Sequence, residues 1–127
     1  MLPEMIATLA ASPGVTIGFH TLSHRVLTGL GDEAVLQALA EGREAIEFVT
    51  GAPMNVFAYP HGKGNKRVAD LTRRSGFTIA CRSGRRPVSP TSDALMLCRW
   101  EPGAMTGRDL LAHAALRFAI GPLGFVP

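Results

Sequence analysis

Two histidines four residues apart, His20 and His24, close the segment Val15-Thr-Ile-Gly-Phe-His-Thr-Leu-Ser-His24. If a helix begins at Thr21, that spacing sets both imidazoles on one face, about a turn apart. Two neutral imidazole nitrogens so placed can share one divalent cation. A bare HxxxH pattern is a weak signal in a chain with four histidines. Its position strengthens it, because open sites in α/β folds lie beyond the carboxyl ends of strands. His61 follows a second strand end, in Ala58-Tyr-Pro-His-Gly62, with Tyr59 either lining a cleft or packing in the strand. Arg99 ends a third apolar run and can bind a ligand or form a structural ion pair.

The elements that must position these residues follow from periodicity and punctuation. Residues 3–11 read as a short helix, with Pro3 and Glu4 at its start and Met5, Ile6 and Leu9 at helical spacing. Residues 15–19 read as a strand, and Asp32 as the N-cap of a long helix carrying Val35, Leu36, Leu39, Ile46 and Val49. Gly51 stops that helix. A strand over 56–59 leads into a loop rich in turn residues, and Asn65 caps a helix through Ser75, closed by Gly76. Further strands are predicted over 77–81 and 95–98, and a last helix over 107–119 capped by Thr106, with a frayed Gly/Pro-rich tail over 121–127. Thr21 and Ser23 read as helix-start caps, Asp32, Glu33, Glu41, Glu44 and Glu47 as a solvated face, and His113 and Trp100 as ordinary helix and packing residues. Crossover-length helices between the strands argue for parallel βα units. Three or four short strands are fewer than a closed barrel needs.

Composition narrows the class. A chain of 127 residues, 46% hydrophobic and 18% charged, reads as one globular domain. Eleven of the thirteen basic residues are arginine, and six of these fall between Arg67 and Arg86. No aromatic residues alternate with them to stack bases, so nucleic acid is not the expected partner. Cys81 and Cys98 form no CxxC pair and read as inert core thiols. No segment reads as a membrane span or a signal peptide, so the cytoplasm is the default expectation.

Taken in order, Gly18-Phe-His-Thr-Leu-Ser-His24, Phe57-Ala-Tyr-Pro-His-Gly62, Gly76-Phe-Thr-Ile-Ala80 and Leu97-Cys-Arg99 resemble the polysaccharide deacetylases of the nodulation-protein-B-like type, carbohydrate esterase family 4. The resemblance runs from about Leu2 to Arg99. It implies a distorted (β/α) barrel that removes N- or O-acetyl groups from a glycan with one divalent metal, zinc by expectation. It maps two metal ligands onto His20 and His24, and places His61 where a tyrosine backbone N–H helps to hold the oxyanion. It leaves Tyr59 and Arg99 as substrate-binding candidates. The family's third ligand and its general base are adjacent aspartates in an earlier Thr-Phe-Asp-Asp-Gly strand, which these residues do not contain. Ala58 stands where the family has the arginine that braces the base, and His113 is no match for its late general-acid histidine.

The expectation is therefore a single incomplete domain over 1–127, the middle and C-terminal part of a deacetylase barrel truncated at its N-terminus and lacking the first strands. Hydrolysis needs a base to take the proton of water, and catalytic zinc usually has three protein ligands and an open position. A non-catalytic remnant that binds a glycan or a protein partner is the rival reading, and a small arginine-rich nucleic-acid-binding protein is a third.

Overall fold

In the computed structural model, which describes residues 2–120, three short parallel strands lie side by side in the order β1-β2-β3. They are β1 (Val56–Ala58), β2 (Ile79–Ser83) and β3 (Leu97–Arg99). Val56, Phe57 and Ala58 pair with Ile79, Ala80 and Cys81, while Cys81, Arg82 and Ser83 pair with Leu97, Cys98 and Arg99. The sheet does not close into a barrel.

The expected strand over 15–19 shrinks to one parallel bridge, Phe19 to Phe57, with Phe19 N–H donating to Val56 and Ala58 N–H to Phe19. Only its last residues reach β1. Val15 is instead turned back, its N–H donating to Ser12. The strand over 77–81 slides two residues onward, because Phe77 is a core residue ahead of the strand and Thr78 and Ile79 both donate to Asn55. Likewise Leu95 is buried before β3, which extends to Arg99.

Helices α1 (Pro3–Ala10), α4 (Lys66–Arg74) and α5 (Gly107–Ile120) stand where their start and stop residues place them. Asn65 Oδ1 accepts from Val68 N–H at 2.9 Å. Thr106 and Asp109 cap each other's N–H groups at the start of α5. The long helix splits into α2 (Asp32–Ala40) and α3 (Arg43–Thr50), since Glu41 turns extended and Gly42 takes φ +79°. Asp32 does not cap α2; Gly31 holds that position, and the Asp32 carboxylate pairs with Arg67 of α4.

Packing is concentrated where α2 and α4 meet the sheet. Phe19, Val35, Leu39, Phe57, Val68, Leu71, Phe77 and Ala80 belong to one buried cluster. The rings of Phe57 and Phe77 stand 5.2 Å apart and Phe19 lies 6.1 Å from Phe77, so the segment ending at Phe19 joins the same core as the sheet. Cys81 and Cys98 are free thiols but half-buried rather than enclosed. The tail over 121–127 lies outside the described residues.

Candidate functional site

No helix starts at Thr21. Thr21 and His24 both take left-handed backbone conformations, with φ of 59° and 50°, and the chain folds into a tight turn. Threonine is β-branched and strongly disfavours positive φ, so the turn must be held by its surroundings. Thr21 Oγ1 accepts from His24 N–H at 3.1 Å, which makes Thr21 a cap on this turn rather than on a helix. The turn still brings the two imidazoles together: their ring centroids are 4.8 Å apart and the Nε2 atoms face each other at 3.0 Å.

His20 is anchored from behind. Its Nδ1 lies 2.7 Å from the Ala58 carbonyl oxygen. A carbonyl can only accept, so Nδ1 carries the proton and the lone pair sits on Nε2, facing His24. The same Ala58 donates its N–H to Phe19, so the register that joins the edge segment to β1 also aims the His20 ring. Two tetrahedral zinc ligands at ordinary zinc–nitrogen distances stand about 3.3 Å apart. The Nε2 pair fits that spacing with a small adjustment.

His61 joins the pair from the other side. It too is left-handed, with φ 55°, inside the short 3₁₀ turn Pro60–Gly62. Its ring centroid lies 4.4 Å from that of His24, and its Nε2–H donates to the His24 carbonyl oxygen at 3.2 Å. Its backbone N–H makes no hydrogen bond among the described residues. The loss of hydration where the three rings crowd together, followed by the charges of His61 and His20, lowers the pKa of His24 below the usual histidine value. His24 therefore keeps a neutral ring, able to bind a cation, over a wider pH range.

The remaining candidates divide. Tyr59 packs and lines no cleft: it is fully buried, its Oη donates to Leu95 at 2.7 Å and its ring lies edge-on to Phe57. Burial raises its pKa. Arg99 is exposed at the carboxyl end of β3 and forms no ion pair among the described residues. His113 stacks on Trp100 at 5.5 Å, away from the other histidines in sequence and in contacts. Of the arginines between 67 and 86, Arg67 pairs with Asp32 and Arg73 with Asp70 and Asp93, so the basic run is partly neutralised. Among the described residues no group of three or more His, Cys, Asp or Glu side chains converges as a metal site.

Two supports escaped the reading of the sequence. The Ala58 carbonyl leaves no trace in residue types, because every residue supplies one. The His61 side chain was legible only as a neighbour, since nothing local shows which way a left-handed residue turns its ring.

The sequence profile of the polysaccharide deacetylases matches residues 2–80. Chitin deacetylase 1 of Cryptococcus neoformans var. grubii is 34% identical over 76 residues, which is 60% of this chain and 16% of that protein. A polysaccharide deacetylase from Bacillus cereus superposes with a TM-score of 0.74 at 20% identity, over 88% of this chain and 36% of its own. A Streptococcus pyogenes deacetylase crystallised with acetate gives 0.70 at 18%, over 78% and 44%. The chain thus spans less than half the length of each of these proteins. These superpositions assign the open parallel sheet and its helices to part of the deacetylase α/β barrel. The chain belongs to the polysaccharide deacetylase family.

Proposed function

We propose that this chain carries the two-histidine part of a metal-dependent deacetylase site, which in the intact domain hydrolyses N- or O-acetyl groups of a glycan. The observation that carries the reading is the geometry of one pair. His20 Nε2, its lone pair fixed by the Nδ1–H bond to Ala58, faces His24 Nε2 at 3.0 Å. These donors fit a divalent cation, zinc by its preference for imidazole. Bound there, the cation supplies a Lewis acid that polarises an acetyl carbonyl and makes water more acidic.

The protein's own groups do the rest of the positioning. Ala58 holds the His20 proton on Nδ1, and the strain-bearing turn at Thr21 and His24 fixes the second ring. The His61 N–H, which makes no hydrogen bond among the described residues, is in this reading the donor to an oxyanion, a role that any residue but proline can fill. Arg99, exposed at a strand's carboxyl end, is available to a sugar chain or its acidic substituents. In this reading residues 1–127 belong to a single deacetylase-like domain.

Zinc titration of wild type, His20→Ala and His24→Ala tests the pair. Each substitution is expected to weaken binding at least about tenfold, and equal affinities would sink the reading. Acetate release from acetylated chitooligosaccharide or peptidoglycan, with and without chelator, tests the chemistry. The lack of a third converging donor among the described residues favours a second reading, a non-catalytic glycan- or partner-binding protein. Zinc binding without any acetate release would select it.

A further inference from the structure

His61 enters the reading above only through its backbone N–H, yet its side chain reaches across 37 residues to His24. The acceptor is a backbone carbonyl, so the His61 Nε2 must carry the proton and is committed to this bond. The two rings lie 4.4 Å apart, tilted by 46°. His24 is thereby gripped at both ends of its backbone: Thr21 Oγ1 takes its N–H and His61 takes its carbonyl. His24 and His61 are both left-handed, a conformation that residues with a Cβ keep only where neighbours hold it.

We propose that the His61 side chain is a positioning residue for His24. Its Nε2–H and ring keep the His24 turn left-handed, so that His24 Nε2 stays aimed at His20 Nε2. The inference rests on the metal-ligand reading of that pair. His61 is read as a brace and not as a third ligand: its Nε2–H is given to the carbonyl, and among the described residues no group of three His, Cys, Asp or Glu side chains converges as a metal site. Without it the His24 backbone relaxes toward the commoner right-handed or extended regions and carries the ring away.

The test uses the full chain and zinc, measured by competition with a chelating dye, on wild type, His61→Ala and His61→Gln. Glutamine places an amide N–H near the position of the imidazole Nε2–H. His61→Ala is expected to weaken zinc binding about tenfold with unchanged circular dichroism, and His61→Gln to stay within about threefold of wild type. Wild-type affinity in a folded His61→Ala, or a His61→Gln as weak as the alanine variant, would overturn the proposal. The metal-free wild type supplies an independent arm, in which ring-to-ring NOEs between His24 and His61 are expected and their absence overturns the bracing. That arm also decides the matter if His61→Ala does not fold. If His20→Ala and His24→Ala bind zinc like wild type, the metal reading falls, and the NOEs alone judge whether His61 holds His24.

Discussion

At the scale of the residue, the site depends on backbone conformations that side chains resist. Gly62 follows His61 at φ +64°, and a Cβ built there would lie 1.9 Å from Ser83 Oγ. Gly62→Ala therefore combines positive-φ strain with a steric overlap and is expected to cost about 2–4 kcal/mol. Urea denaturation would measure this, and a loss of zinc affinity larger than that of His61→Gln should accompany it, since the loop that carries His61 must shift. Thr21→Val removes the hydroxyl that accepts the His24 N–H and leaves the β-branched strain in place. It should weaken zinc binding, whereas Thr21→Ser should preserve it. The histidine pair itself was legible from spacing and from its place at a strand end. The conformation that realises it was not, because a four-residue spacing suits a helix as well as this turn.

At the scale of the element, one arginine joins three segments. Arg43 of α3 donates to the Ser75 carbonyl at the end of α4, to the Met54 carbonyl ahead of β1 and to Glu47, and its guanidinium lies 4.4 Å over the Phe77 ring. Arg43→Met keeps the apolar stem but leaves those carbonyls without their charged donor, and should cost about 2–3 kcal/mol in chemical denaturation. Glu47 completes the clamp by accepting from Met54 N–H at 2.7 Å. That bond, ahead of Arg43, lowers the Glu47 pKa below the usual glutamate value against an opposing effect of burial. Because the folded pKa is the lower one, the contribution is present above the unfolded value and disappears as pH falls through the folded value. The stability difference between wild type and Glu47→Gln should therefore be full near neutrality and vanish as pH falls through the folded pKa, which lies below the usual glutamate value. A difference independent of pH would refute this assignment. Asn65, Gly51 and Gly76 were readable as start and stop signals because capping is local. The break at Glu41 and Gly42 was hidden, since the apolar spacing from Val35 to Val49 runs straight through it. Just past the break, Arg43 reaches Ser75 and Phe77, contacts that lie 32 or more residues away.

At the scale of the whole molecule, the fold is an open section of a parallel α/β sheet with a core on one side. Much apolar surface remains uncovered: Phe48 is 90% exposed, Leu22 68% and Leu2 64%. Unpaired edges and apolar patches of this kind favour self-association. Phe48→Lys should therefore raise solubility and reduce concentration-dependent association in sedimentation, with little change in melting temperature. Among the described residues no helix is long and apolar enough to cross a membrane. The parallel βα order was legible because crossover helices leave a periodic signature, whereas strand starts moved by two residues where a core side chain, Phe77 or Leu95, precedes its strand. The two supports of the histidine pair differ in how mutation can reach them. His61 can be lost by a single base change, but the anchor of His20 is a main-chain carbonyl that every residue at position 58 would supply. Sequence drift at that position leaves the His20 tautomer intact so long as the strand keeps its register. One half of the pair is thus inherited with the fold itself, while the other must be maintained residue by residue.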